Sequence, residues 1–296
     1  MQKIILEIET GDIDDTIALI YALMNPNIDV LALCVYPGSR PQLGCIQKLL
    51  QYINYKKPLV LSSFDSNKEF YPSVLYERVY GKYSSYDGPL LSATDTVIKL
   101  GKEHNDITFV SLGPPKVLAA ALKKDEGIKV DRWVAQGGFA GVGVMDEDKI
   151  LEKFKGLVEC PTWNLGGAVK EAKYMLRDDR IGIKNFVAKN VCHGIVYDTE
   201  FHKKLQKAAK MNSFASYFVD IMEKAYGKGK SMRKKIHDIL PLMTCTHGNI
   251  CTFREVHLYY NKKKSAWGSY LAGGTNVFIS VDYDKELYWD LLVDPK

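Results

Sequence analysis

Apolar runs alternate with helical segments through the first half of the chain. Residues 3–9 form the first run, which is interrupted by Glu7 and Glu9. Residues 16–24 follow with the composition of a buried helix. Further strands are predicted at 28–36, 58–62, 107–112 and 130–135, and further helices at 42–53, 91–103 and 116–124. Repeated strand–turn–helix units of this kind predict an α/β fold with a doubly wound, mostly parallel sheet flanked by helices.

The second half of the chain is less regular. Between residues 63 and 90 a polar, tyrosine-rich stretch is longer than an ordinary connection, which favours a functional loop. Helices are predicted at 166–178, 198–211, 213–226 and 229–244, and polar strands at 252–260, 266–271 and 276–282. Because no linker, composition shift or internal repeat interrupts the chain, we expect a single domain over 1–296 with a small irregular C-terminal extension.

Five carboxylates surround the end of the first strand and the turn after it: Glu7, Glu9, Asp12, Asp14 and Asp15. In open α/β sheets, ligands bind beyond the carboxyl ends of the strands. Carboxylates gathered there repel one another unless a cation neutralises them, and Ca²⁺ or Mg²⁺ selects oxygen ligands. The alternative is that one aspartate caps the following helix. Capping leaves the two glutamates unexplained, so the pattern favours a metal site.

Composition narrows the class of protein. The chain has 296 residues, of which 46% are hydrophobic, so it can bury a large core. Its net charge of +5 is modest, and no nucleic-acid-binding motif accompanies the lysine-rich runs. The six cysteines have no metal-binding spacing and are expected to be reduced core residues. Without a leader-like N-terminus or an apolar run of roughly 18 residues, we expect a cytoplasmic protein with no membrane contact.

The acidic turn resembles the opening motif of the inosine-uridine-preferring nucleoside hydrolase family, a strand ending in Asp-x-Asp followed by Gly and a paired Asp-Asp. Asp14 and Asp15 match the pair, whereas Glu7 and Glu9 replace the earlier aspartates and the loop is one residue longer. Similar matches follow at later strand ends, namely Gly38-Ser39, Leu112-Gly113-Pro114, Gln136-Gly137-Gly138, Thr162-Trp163-Asn164 and His237-Asp238. They stand for the family's Gly-Asn, Thr-Gly-Pro, Met-Gly-Gly, Glu-Phe-Asn and His-Asp.

Each match taken alone has a plainer explanation. Asn164 could cap a helix, Gly137-Gly138 could be an ordinary turn, and His237-Asp238 could be a surface pair. Their order and spacing together with the acidic turn favour membership of the family.

The resemblance implies cleavage of the N-glycosidic bond of a ribonucleoside with the help of a divalent cation, expected to be Ca²⁺. It places the metal on Glu9, Asp15, the Leu112 carbonyl and Asp238. It places the nucleoside on Asp14, Ser39, Gln136, Thr162, Asn164 and His237. Catalytic roles fall to Glu9 as the acceptor of a proton from water, to His237 as the donor to the departing base, and to Asp14. We expect a homodimer or homotetramer working in purine and pyrimidine salvage.

Two alternatives remain open. Thr162 stands where the family has an acid at the 5′-hydroxyl, which favours a 5′-substituted nucleotide or a base-modified nucleoside from RNA turnover. Lys153 and Lys155 lie nearby in sequence, although they could be plain solvated charges. The second alternative is a non-catalytic descendant that binds a nucleoside or a partner. The glutamates of the first strand favour it. The five retained residues oppose it: Asp14, Asp15, Asn164, His237 and Asp238.

Overall fold

The computed structural model of the protein describes residues 1–65, 67–228 and 233–294. Twelve strands lie in these ranges, and ten of them form one sheet. The strands are β1 (Gln2–Ile8), β2 (Ile28–Val35), β3 (Val60–Ser63), β4 (Thr108–Ser111), β5 (Val130–Gln136), β6 (Glu159–Cys160), β7 (Ile181–Val187), β8 (Val196–Tyr197), β9 (Lys234–Lys235), β10 (Cys251–Asn261), β11 (Ala266–Leu271) and β12 (Val277–Tyr283). Strands β8 and β9 form a separate two-stranded ladder.

Helices cover the sheet and fill its connections. They are α1 (Ile13–Met24), α2 (Arg40–Tyr52), α3 (Leu75–Tyr80), α4 (Ala93–Glu103), α5 (Val117–Lys124), α6 (Trp163–Gly167), α7 (Val169–Met175), α8 (Lys189–Cys192), α9 (Thr199–Ala208), α10 (Ser213–Tyr226), α11 (Ile239–Thr246) and α12 (Lys285–Val293). Helix α1 is buried along nearly its whole length, because its apolar residues face the sheet on one side and α10 and α11 on the other.

The large sheet has the strand order β3-β2-β1-β4-β5-β7-β12-β10-β11-β6. The first seven strands in that order pair in parallel, and the last three join antiparallel. The predicted α/β class and mostly parallel sheet are therefore confirmed. The chain order reverses between β1 and β4, and such a switch point is where ligands bind in open α/β sheets.

The polar strands predicted near the C-terminus are all present, and they continue the large sheet rather than forming an irregular extension. β7 was not predicted, because Gly182, Lys184 and Asn185 interrupt its apolar run, although Lys184 is buried there with its ammonium on the Ile181 carbonyl. The helix predicted at 229–244 is confirmed over residues 239–244 and is wrong over residues 233–238. Residues 229–232 lie outside the described part, and the helix begins only at Ile239.

The cysteines are all buried with free thiols, as expected. Burial raises the pKa of Cys34, Cys45, Cys192 and Cys245, in each case to about 12, so these thiols stay protonated and act as core side chains. Within the described ranges, no helix is long and apolar enough to cross a membrane.

Candidate active site

A cavity of about 520 Å³ opens where the carboxyl ends of β1, β4 and β5 meet. Its lining residues are Glu9, Gly11, Asp12, Asp14, Asp15, Phe70, Leu112, Gln136, Trp163, Asn164, His237 and Asp238. Eight of the ten site residues predicted from the sequence are in this set. Ser39 and Thr162 are not. The volume falls in the range usual for pockets that hold a small molecule.

Asp12 has a structural role at the start of α1. Its side chain accepts the Asp14 N–H, and the Asp15 carboxylate accepts the Asp12 N–H at 3.0 Å, which completes a capping box. The second Asp12 oxygen is 2.5 Å from the Lys234 ammonium. The capping alternative considered from the sequence is therefore correct for Asp12, but it leaves the other carboxylates of the cavity to be explained.

Glu7 was expected to join the carboxylates at the ligand site, but its side chain does not point into the cavity. It is fully buried inside the sheet, where it accepts hydrogen bonds from the Ser111 hydroxyl at 2.9 Å and from the N–H groups of Lys116 and Val117 at 3.0 and 2.8 Å. Burial raises the pKa of Glu7 to about 8 despite these bonds. Glu7 thus satisfies the first N–H groups of α5 and ties that helix to β1 and β4.

Three buried aspartates form the acidic wall of the cavity. Asp14 Oδ2 accepts the backbone N–H of His237 at 2.6 Å, whereas Asp14 Oδ1 has no hydrogen-bond partner among the described residues. The carboxyl groups of Asp15 and Asp238 are in hydrogen-bonding contact with each other. Burial raises the pKa of all three, and repulsion from neighbouring carboxylates, which for Asp15 are those of Glu9 and Asp12, acts in the same direction. Their ionised forms therefore need a positive charge nearby.

Glu9 faces the cavity from the end of β1. A Cβ on Gly113 would lie only 2.7 Å from Glu9 Cγ, so the glycine after Leu112 makes room for this side chain. Burial raises the pKa of Glu9 to about 7, and a hydrogen bond from the Trp163 side chain acts in the opposite direction. Glu9 Oε1 is buried and, within the part of the chain that the structure describes, has no hydrogen-bond partner.

The donor set at the cavity fits a hard cation in its chemistry, because the acidic wall supplies only oxygen atoms. Within residues 1–65, 67–228 and 233–294, no group of three or more His, Cys, Asp or Glu side chains is arranged to hold a metal by itself. Asp15 and Asp238 are adjacent, so a cation between them would need further oxygens. The Leu112 carbonyl and the unpartnered oxygen of Glu9 are available along the same cavity wall.

An amide network forms the wall opposite the first loop. Asn164 Nδ2 lies 3.2 Å from the Leu112 carbonyl and 2.9 Å from Gln136 Oε1. Gln136 Nε2 in turn donates to Cys192 Sγ at 3.1 Å. The turn after Gln136 includes Gly138 at φ +75°, a backbone conformation that favours glycine. The predicted sugar-side residues Gln136 and Asn164 are therefore held together by contacts with the main chain and with each other.

The two predicted residues that do not line the cavity have other positions. Ser39 is the N-cap of α2, and its hydroxyl donates to the Phe70 carbonyl at 2.5 Å, so it reaches the cavity only through Phe70. Thr162 is the residue before α6; its side chain is buried, and its carbonyl accepts the Gly166 N–H at 3.0 Å. Neither position supports direct contact with a substrate in this structure.

Two aromatic residues of the cavity were missed from the sequence. Trp163 is 81% exposed and stands at the cavity mouth beside Glu9. Phe70 comes from the long loop that was predicted to be functional. The position of Trp163 inside the Thr162-Trp163-Asn164 motif, between two residues predicted to contact the sugar, was the signal that could have identified the first.

His237 lines the cavity and packs against a second histidine. The His237 and His193 rings are 4.7 Å apart between centroids, with 38° between their planes. Burial lowers the pKa of His237 to about 4, and the neighbouring lysines act in the same direction. The imidazole is therefore neutral at physiological pH and keeps one N–H to donate. Behind it, His193 Nδ1 is 2.7 Å from the Lys153 ammonium.

A comparison with protein families agrees with this geometry. The family model for inosine-uridine preferring nucleoside hydrolase matches residues 4–290. The chain belongs to this family. The resemblance seen in the sequence is thus confirmed, and this nucleoside hydrolase is an enzyme of the N-glycosyl hydrolase class.

Individual relatives of this nucleoside hydrolase cover almost its whole length. A protein of Aquifex aeolicus (strain VF5) is 28% identical over 303 residues, which span 98% of each chain. The solved structure of the plant nucleoside hydrolase PpNRh1 superposes with a TM-score of 0.74 at 18% identity, over 99% of this chain and 98% of the other. An inosine-guanosine nucleoside hydrolase gives a TM-score of 0.75 at 15% identity, over the same shares. The fold is therefore shared from end to end.

Proposed function

We propose that this nucleoside hydrolase is a divalent-cation-dependent N-ribohydrolase that converts a ribonucleoside and water to a free base and ribose. The observation that carries the proposal is the group of buried carboxylates, Asp14, Asp15 and Asp238, at the switch point of the sheet. Three buried acids cost stability unless a cation and a polar ligand use them. Membership of the family supplies the reaction class.

Asp15, Asp238, Glu9 and the Leu112 carbonyl would hold the cation, for which Ca²⁺ is our candidate because every donor is an oxygen. When bound there, the cation would lower the pKa of a water molecule and attract the hydroxyls of the ribose. The raised pKa values of these acids agree with that role, since a cation would favour their ionised forms.

The side chains around the cation site have complementary roles in the proposal. Glu9 accepts a proton from the attacking water, because it faces the cavity beside the acidic wall. Asp14 uses its unpartnered Oδ1 to accept a ribose hydroxyl. Asn164, whose Nδ2 is bonded to the Leu112 carbonyl and to Gln136, uses its Oδ1 to accept the neighbouring hydroxyl and fixes the ring as positive charge develops on the sugar.

His237 serves the departing base. Because the imidazole is neutral, it can donate its N–H to a ring nitrogen of the base as the N-glycosidic bond breaks. The hydrogen bond from its backbone to Asp14 holds it next to the sugar-binding carboxylate. The atoms balance: water supplies a hydroxyl to C1′ and a proton to Glu9, while the departing base, stabilised by the hydrogen bond from His237, takes up a proton from solvent, to which Glu9 later releases its own.

The test is an assay of the purified protein with inosine and uridine in the presence of Ca²⁺, with base and ribose separated by chromatography. Equimolar base and ribose are expected. Asp14→Asn keeps an oxygen for the His237 N–H but loses the charge, so kcat/KM should fall by about 100-fold or more. Asp106→Asn, at an exposed carboxylate paired with Lys3, is the matched control and should be fully active. Binding of nucleosides without any product would instead identify the non-catalytic descendant.

A further inference from the structure

Three lysines from separate parts of the chain converge beside the cavity around His193. They are Lys153, in a short 3₁₀ turn (Glu152–Phe154), Lys189, the first residue of α8, and Lys235, in β9. The Lys153 ammonium is 2.7 Å from His193 Nδ1 and in contact with the Lys235 ammonium. We refer to Lys153, Lys189, Lys235 and His193 as the lysine cluster.

Among the described residues, no carboxylate forms an ion pair with the lysine cluster, and the Lys153 ammonium lies instead beside His193 and 4.7 Å from the centre of the Phe154 ring. Lys189 donates to the Pro161 carbonyl at 2.6 Å. The adjacent lysines differ, since Lys155 pairs with Glu152 at 2.6 Å and Lys234 with Asp12 at 2.5 Å. Burial and the charges of Lys235 and Lys189 lower the pKa of Lys153 to about 8. An anion bound among these like charges would offset their repulsion.

The lysine cluster borders the substrate cavity. His193 stacks on the cavity residue His237, and its neighbour Cys192 accepts a hydrogen bond from the cavity residue Gln136. Lys189 holds the carbonyl of Pro161, two residues before Trp163 at the cavity mouth. The lysine cluster therefore adjoins the cavity directly behind His237 and Gln136.

We propose that the lysine cluster is a phosphate-binding subsite and that the substrate of this enzyme is a nucleoside 5′-monophosphate. The inference rests on the proposed function, which places the 2′- and 3′-hydroxyls against carboxylates. A phosphate at either of those positions would be repelled by the acids, so C5′ is the sugar position from which a dianion can face the lysines. Lysine is a common phosphate ligand, as a compact point charge.

The first test compares kcat/KM for a nucleoside, its 5′-monophosphate and its 3′-monophosphate. The 5′-monophosphate should exceed the nucleoside by at least about 10-fold, since hydrogen bonds to charged groups contribute on the order of 1.5–3 kcal/mol. Lys153→Ala and Lys235→Ala should each lower that ratio by about 10- to 100-fold. Lys155→Ala removes the same charge two residues away from Lys153, where Glu152 already pairs with it, and should leave the ratio unchanged.

The second test does not depend on catalysis. Ribose 5-phosphate is titrated into the wild type, Lys153→Ala, Lys235→Ala and Lys155→Ala by calorimetry at low and high salt. Binding should weaken about 10-fold or more in the first two variants and with added salt, but not in Lys155→Ala. An enzyme that hydrolyses nucleosides without binding ribose 5-phosphate would refute the subsite and keep the proposed function. Binding of ribose 5-phosphate without any hydrolysis would refute the proposed function and keep the subsite.

A third set of outcomes concerns the position of the anion. A preference for the 3′-monophosphate, or for a nucleoside with a carboxylate on its base, would overturn the assignment to the 5′ end. Melting temperatures of all variants serve as the folding check. Lys153 and Lys155 are exposed and Lys235 is half-buried, so each variant should melt close to the wild type.

Discussion

The Asp14 carboxylate accepts the backbone N–H of His237 at 2.6 Å, although 223 positions separate the two residues in the chain. This bond joins the first loop of the sheet to the loop before α11. Both residues line the cavity, and the bond leaves Asp14 Oδ1 without a hydrogen-bond partner among the described residues. One short contact thus fixes the distance between the proposed ribose acceptor and the proposed donor to the base.

His237→Ala should lower kcat for natural nucleosides while leaving activated aryl ribosides nearly unaffected. The reason is that a poor leaving group needs a proton during bond cleavage, whereas an activated one does not. The expected loss is about 100-fold on nucleosides, measured from initial rates on both substrate types.

Equal losses on both substrate types would contradict this role and would point to positioning or folding instead. The Asp14 contact is with the backbone of His237, so the alanine variant keeps it, and the melting temperature should change little.

Trp163 offers a second prediction because it is exposed at the cavity mouth and contacts Glu9. Trp163→Phe keeps an aromatic surface but loses the indole N–H, so kcat should fall through a less well positioned Glu9. Trp163→Ala should also raise KM by about 2- to 12-fold, the range that corresponds to 0.5–1.5 kcal/mol of aromatic contact with the base. Steady-state kinetics separate the two effects. If both variants retain wild-type kcat and KM, Trp163 has no part in the site.

Glu7 gives a prediction about stability. Its pKa is about 8 in the folded protein against 4.5 for an ordinary glutamate, so between these values the folded state holds a proton that the unfolded state lacks. Its contribution to stability is therefore complete below about pH 4.5 and is lost as the pH rises through 8. Glu7→Gln removes this titration, so its melting temperature should rise relative to the wild type between pH 5 and pH 8.5.

Glu7→Ala is the matched comparison, because it removes the acceptor as well as the charge. The N–H groups of Lys116 and Val117 would lose their partner, at a cost of about 1–3 kcal/mol for each group that stays buried. A Glu7→Gln variant whose difference from the wild type is the same at both pH values would show that the carboxylate is ionised throughout.

The sequence predicted the parallel core well, because strands such as β2 and β4 are near-continuous apolar runs between turn residues. It failed where polar residues are buried by tertiary contacts, as at Lys184 in β7. The helix predicted at 229–244 began too early for a related reason. The chain before Asp238 is held by β9 and by Asp14, and no local signal announces contacts with residues so distant. The single domain, the homo-oligomer and the cytoplasmic location remain predictions.

The sequence likewise predicted one part of the candidate site and missed another. Strand-end motifs located eight cavity residues because parallel strands bring their carboxyl ends to one edge of the sheet. The direction of a side chain was harder to predict. Glu7 and Glu9 have the same parity in β1 and its extension, yet only Glu9, beyond the end of the strand, reaches the cavity. Ser39 was misplaced because its hydroxyl is used by a helix cap, which a motif match cannot distinguish from a ligand.

The most direct test of cation-dependent N-ribohydrolysis is ribose release by the wild-type enzyme after exhaustive chelation and again after addition of Ca²⁺. Asp15 and Asp238 are proposed to bind the cation, so the variants Asp15→Asn and Asp238→Asn are measured in the same way. We predict that chelation abolishes ribose release from a nucleoside or its 5′-monophosphate, that Ca²⁺ restores it in the wild type, and that neither variant recovers. Full ribose release from the chelated wild type, or full recovery in both variants, would contradict the account.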